Sequence, residues 1–170
     1  MTGATVQAAL QSLVGLPLGR IGRAADLLWV QFGALRELPG RNGGTKTVGE
    51  WALHIQCPWR VTLSSRIVIA RGDCFRQADS DEPYDWDATG ESRFDRLAAH
   101  LNHQLEASAP RVVKVAVDAV NGFSLDLDGG YTFDVFPAES TESDTEHWRF
   151  FQPGMDGKQL IFESGCLSLH

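Results

Sequence analysis

Two hydrophobic periods alternate along the chain. Val6, Leu10, Leu13 and Val14 recur at helical spacing and Gly15-Leu16-Pro17 stops the run, so residues 4–14 are predicted to form a short helix. From Leu18 the period becomes two. Leu18 to Ile21 and Leu28 to Phe32 read as a hairpin turning near Ala25-Asp26, with Leu28, Val30 and Phe32 on one side. Residues 37–47 are Gly-rich and polar and read as a loop. Strands are expected at 50–57, 60–64 and 66–71, the first placing Trp51, Leu53 and Ile55 on one face. The first half is therefore predicted to be an antiparallel meander.

The period returns to helical only once more. Residues 77–91 read as a loop carrying Asp79, Asp81, Glu82, Asp85, Asp87 and Glu91 with no base among them. Ser92, with Asp95 three residues on, is a weak capping box, and Phe94, Leu97, Ala98, Leu101 and Leu105 share one face up to the stop at Pro110. A helix over 92–107 lying against a sheet follows. Strands are then predicted from Val112 to Val117, Phe123 to Leu127, Tyr131 to Phe136, Trp148 to Phe151 and Leu160 to Glu163. Asn121-Gly122 and Asp128-Gly129-Gly130 mark tight turns, because Asn and Gly tolerate positive φ.

Set side by side, the halves have one order. Trp51, Leu53 and Ile55 alternate as Tyr131, Phe133 and Val135 do; Leu28, Val30 and Phe32 answer to Phe123, Leu125 and Leu127; Trp59-Arg60 answers to Trp148-Arg149. The run Ile67 to Cys74 is echoed by Leu160 to Cys166, each ending in Gly and Cys. The expected fold is α+β: predominantly antiparallel β in two similar meander units, an internal duplication, with one amphipathic helix packed on the sheet and a short N-terminal helix. All of residues 1–170 form a single domain, with repeat units 18–76 and 112–169 joined by loop 77–91 and helix 92–107.

Composition narrows the class only a little. Fifteen basic against 22 acidic residues give a formal charge of −7, which argues against nucleic-acid binding and suits a basic protein partner. The three cysteines, Cys57, Cys74 and Cys166, are odd in number and widely spaced, so no disulfide framework is expected. No apolar run approaches the roughly 18 residues of a membrane span and no secretory leader is evident, so the cytoplasm is the expected compartment, without membrane contact.

No motif announces a reaction. His54 and Cys57 suggest a base and nucleophile, but residues three apart on a strand face opposite sides. His100 and His103 have ligand-like spacing, yet fall off the apolar face of their helix and lack the HExxH pattern. The acidic loop fits no calcium template, and in the Gly-rich loop Thr45, not Gly, precedes Lys46, so the phosphate-cradle pattern fails. No metal or cofactor is expected. Two pairs of features remain. Arg60 and Arg149, with His54, would grip an anionic ligand if the two units formed a shared groove. Tyr84 and Trp86, aromatics amid acids, either pin their loop to the body or meet a partner.

The stretch Trp51-Ala52-Leu53-His54-Ile55-Gln56-Cys57-Pro58-Trp59-Arg60, followed by Asp85-Trp86-Asp87 and Gly90-Glu91-Ser92-Arg93-Phe94-Asp95, resembles a family of small bacterial proteins with LHIQCxWR and DWD…G…FD stretches. The resemblance spans roughly residues 15–165 and implies no catalytic residues, since no activity is assigned to that family. In size and acidity the chain is also similar to immunity proteins of bacterial toxin systems. The expected function is a non-catalytic, cytoplasmic protein-binding role of that type. The alternative is a small-molecule domain or enzyme using Arg60, Arg149 and His54 in a groove between the units.

Overall fold

The computed structural model describes residues 3–40, 43–78, 84–142, 144–155, 157 and 159–170. Helix α1 (Gly3–Leu10) continues into a 3-10 turn and leads to β1 (Leu18–Ala24), β2 (Leu27–Phe32), β3 (Arg36–Pro39), β4 (Thr45–Val48), β5 (Trp51–Ile55), β6 (Trp59–Leu63) and β7 (Arg66–Ala70). A 3-10 turn (Arg71–Phe75) and α2 (Arg93–Ser108) connect these to β8 (Val112–Val117), β9 (Phe123–Leu127), β10 (Tyr131–Val135), β11 (Glu146–Phe151), β12 (Leu160–Glu163) and β13 (Cys166–Leu169). The α+β class is as expected, and all strand pairs are antiparallel. No helix among the described residues is long and apolar enough to cross a membrane.

Two sheets enclose the core. The first has the order β1-β2-β5-β11-β12-β13 and the second β7-β6-β10-β9-β8. The hairpin β3-β4 and strand β13 apart, each unit gives three strands to one sheet (β1, β2, β5 or β8, β9, β10) and two to the other (β6, β7 or β11, β12), so the order of one sheet becomes that of the other when the units are exchanged. The register follows. Trp148 stands opposite Ile55 and Arg149 opposite His54, as Trp59 stands opposite Val135 and Arg60 opposite Asp134. A bulge interrupts β1 at Leu18/Arg20 and β8 at the matching Val112/Lys114. Where the units begin, Leu18 N–H donates to the Pro110 carbonyl (2.9 Å) and Val112 N–H to the Leu16 carbonyl (3.0 Å), a reciprocal pair.

The helices obey the same exchange. Ser92 caps α2 by accepting from the Asp95 N–H, and Ala109 ends it in the left-handed region at φ 45°. Its apolar face, Phe94, Ala98, Leu101 and Leu105, is buried. On its flank Asn102 bonds both the N–H and the carbonyl of Ile21 at 2.9 Å, closing the free edge of β1. In α1, Gln7 donates to the carbonyl of Val115 on β8, the position equivalent to Ile21. The helix joined to each unit's start thus seals the other unit's first strand.

Inward residues fill one continuous core, in which Trp59, Trp148, Phe32, Phe94 and Phe133 are the largest fully buried side chains. Burying each contributes about 1.5–3 kcal/mol. Three expectations need correction. Residues 37–47 are not simply a loop, since β3 and β4 form a hairpin that is largely exposed apart from Val48 and carries no alternating apolar signal. Strand β13 has no forecast because its four residues show no apolar run. The Gly-Cys endings do not correspond: Ile69 pairs with Val61 as Leu160 pairs with Phe150, two residues out of step with the sequence match. Cys74 is buried in a 3-10 turn, whereas Cys166 is exposed at the start of β13.

Candidate protein-binding surface

Strand alternation decides the fate of the arginine groove. Trp148 and Phe150 point into the core, so Arg149 points out from the first sheet; Trp59 and Val61 point in, so Arg60 points out from the second. Arg149 meets His54, its cross-strand partner, but Arg60 points out from the other sheet, so the three side chains are not brought together. The Arg149 guanidinium is already occupied: Nε and Nη2 both donate to the Glu146 carboxylate and Nη1 to Gln159. His54 sits half-buried with its ring edge-on to Phe151 at 4.8 Å. Burial first, and then the Arg149 charge, hold its pKa below the usual histidine value.

Arg60 has a separate setting. Its Nε donates to Asp134 Oδ2 at 2.8 Å, and the Ser124 hydroxyl donates to Asp134 Oδ1 at 2.6 Å. The guanidinium lies over the Phe136 ring at 5.7 Å, beside a surface cavity of about 380 Å³ that Asp118 also lines.

The thiols and imidazoles form no reactive set. Cys57 is buried in the core, away from the outward His54, and burial pushes its thiol up to about 12. Burial likewise pushes Cys74 up to about 11. A thiol so raised is a poor nucleophile near neutrality. His100 and His103 are exposed on α2. His147 is buried at the bulge of β11, against Phe162. Among the described residues no three His, Cys, Asp or Glu side chains are grouped to hold a metal ion. Asp79, Asp81 and Glu82 of the acidic loop, and part of the Gly-rich loop, lie outside the described residues.

Tyr84 and Trp86 turn out to differ. Tyr84 is half-buried, and its hydroxyl is buried without a hydrogen-bond partner among the described residues. Trp86 remains 40% exposed and packs on Phe75, also 40% exposed, with centroids 5.2 Å apart. The Arg71 guanidinium lies over the Phe75 ring at 5.1 Å and pairs with Asp26 at 2.7 Å. Arg71 follows Ala70, which is the cross-strand partner of Arg60. Arg71, Phe75 and Trp86 therefore form one strip of rings and guanidinium, and Arg60 with Phe136 forms a second cluster.

What holds Trp86 in place is Arg23, whose side chain is only 4% exposed. Its five N–H groups are all used. Two go to the Asp95 carboxylate at 2.9 and 2.7 Å, and the rest to the carbonyls of Ala25, Trp86 and Ala88. Burial disfavours the charged form of Asp95, but the bonds from Arg23, Ser92 and Gly90 outweigh it and bring its pKa down to about 2. Strand β1, the 84–90 loop and the start of α2 are thus joined through one ion pair. Nothing in the pattern around Arg23 separates it from the exposed Arg20. Phe75 was foreseeable only as an apolar residue beyond a strand end, and Phe136, expected as the last residue of its strand, lies just past β10.

Comparison of the chain with protein-family models, curated proteins and solved structures finds no match.

Proposed function

We propose that the protein is a non-catalytic protein-binding domain whose partner is basic. The observation that carries this reading is the strip of Phe75 and Trp86, two packed rings each 40% exposed beside the Arg71 guanidinium. Exposed aromatics combined with arginines are the composition of interface hot spots, and large side chains held in place lose little entropy on binding. The charge around them gives the partner's sign. Arg60 and Arg71 are already matched by Asp134 and Asp26, while Asp85 and Asp87 flank Trp86 and are exposed. A surface of rings with surplus carboxylate suits Lys and Arg side chains, and the formal charge of −7 steers such a partner.

Toxin neutralisation is one role of this kind. The unpaired cysteines support a reducing compartment, the cytoplasm. The anionic-ligand alternative loses its shared groove and retains only the Arg60 cavity. Affinity capture at micromolar bait tests the reading, with the wild type beside Phe75→Ser/Trp86→Ser. The wild type is expected to retain a basic protein that the double variant loses and that salt weakens. Retention of nothing, or equal retention by both, contradicts it.

A further inference from the structure

The outer faces of the two sheets match in register across four strands and differ in what covers one place. In the first sheet the row Gly22, Trp29, His54 and Arg149 crosses β1, β2, β5 and β11. In the second, the row Ala116, Ser124, Asp134 and Arg60 crosses β8, β9, β10 and β6. The Trp29 indole lies over Gly22, so closely that a Cβ there would meet the ring at 2.0 Å. At the matching place Ser124 is too short to cover Ala116, and a cavity of about 380 Å³ stands open. That volume is within the range of small-molecule sites. Phe136, 40% exposed, adds an aromatic wall beside Arg60.

Charge decides what the ligand carries. Arg60 Nε donates to Asp134 Oδ2 at 2.8 Å, and the other Asp134 oxygen accepts from Ser124. Asp118 accepts the Val120 and Gly122 N–H groups on Oδ1 at 2.9 and 2.8 Å, and its Oδ2 has no donor among the described residues. Asp118 follows β8, which stands three strands from the β6 of Arg60. One arginine and two carboxylates line the cavity, so Asp118 is the charge left unmatched. We propose that this cavity binds a small molecule with a planar aromatic ring of about indole size that carries an ammonium group. The ring rests on the Ala116 methyl against Phe136, in the place that Trp29 fills in the first sheet. Because Ala116 has a Cβ and Gly22 has none, the ring lies farther from its sheet than the Trp29 indole does. The ammonium meets Asp118 in a charge-assisted hydrogen bond. This site is separate from Phe75 and Trp86 and does not rest on the protein-binding reading.

The probe is tryptamine, an indole with an ammonium group, titrated into the isotope-labelled full chain by NMR. Indole-3-acetate, the same ring with a carboxylate, is titrated beside it. Saturable shifts are expected with tryptamine in the amides of Ala116 to Asp118, Ser124 and Phe136, and binding of indole-3-acetate is expected to be roughly ten-fold weaker. Asp118→Asn should weaken tryptamine about three-fold and bring the two probes close together. Ala116→Gly/Ser124→Trp rebuilds the Gly22 and Trp29 pair in the second sheet, fills the cavity and should abolish the shifts. Should that variant not fold, Ala116→Lys, at an exposed position, serves in its place, covering the floor with a like charge and again abolishing them. No saturable shift at millimolar tryptamine overturns the proposal, as do equal affinities for the two probes. Shifts that persist in the filled variant, or that centre on Phe75 and Trp86, overturn it too, because the ring then binds elsewhere.

Discussion

Trp59 and Trp148 stand at matching register positions in the two sheets, yet among the described residues only one has its indole N–H satisfied. Trp148 donates to the Asn121 carbonyl at 3.0 Å; Trp59, equally buried, has no partner among the described residues. Trp148 and Trp59 pair alike with Ile55 and Val135, and the difference arises beyond that pairing, in the turns. Asn121 closes a turn between β8 and β9 that is longer than Ala25-Asp26 between β1 and β2, and the Ala25 carbonyl goes instead to Arg23 at 3.1 Å. The first unit has given up a tidy core bond where it gains an anchor for the 84–90 loop. Backbone pairing is repeated across the units, and polar side-chain networks are where they part.

Four tests break or sharpen that comparison. The largest effect is expected at the anchor. Asp95→Asn leaves the buried Arg23 charge uncompensated and should cost about 3 kcal/mol in denaturant unfolding. Asp134→Asn, which removes the partner of the half-exposed Arg60, should cost under about 1 kcal/mol. Because the folded pKa of Asp95 is depressed to about 2, its contribution is complete above the unfolded value of about 3.9. It is lost as pH falls through about 2. An acid unfolding limb that is the same in Asp95→Asn and the wild type would deny the anchor its role.

The next effect lies on the outer face of the first sheet. Gly22 pairs with Trp29, where the second unit pairs Ala116 with Ser124. A Cβ on Gly22 would come within 2.0 Å of the Trp29 ring. Gly22→Ala should cost about 1–3 kcal/mol. In Gly22→Ala/Trp29→Ser most of that should return, a non-additivity that a double-mutant cycle reads directly.

Trp148→Phe should cost about 1 kcal/mol more than Trp59→Phe, because only the former loses a hydrogen bond while both lose similar ring volume. Equal costs would mean that Trp59 is satisfied in solution. The smallest effect is at His54, whose folded pKa is lowered. The unfolded chain takes the proton first, so stability falls as pH drops below about 6.5. His54→Gln should flatten the melting temperature between pH 7.5 and 5.5.

Much of this architecture was legible from spacing. The limits of β8, β9 and β12, the cap at Ser92 and the equivalence in position of Leu28, Val30 and Phe32 to Phe123, Leu125 and Leu127 all follow from alternation and turn residues. The hairpin of β3 and β4 did not, because an exposed two-stranded element needs no apolar face. The site was less legible. Alternation places Arg60 and Arg149 outward but is silent on whether two outward faces meet. Tyr84 and Trp86 stood out as aromatics among acids, whereas Arg23, which positions their loop, looks like any strand arginine. Its role is set by carbonyls far along the chain, at Trp86 and Ala88.

The central claim is that a basic partner meets the aromatic strip that the first unit's anchor holds in place. Hydrogen exchange across the full chain, alone and with the captured partner, tests it most directly. The account predicts new protection centred on Arg71 to Phe75 and Tyr84 to Ala88, and little change around His54 and Arg149. Protection confined to the outer face of the first sheet, with Phe75 and Trp86 exchanging as before, would contradict it.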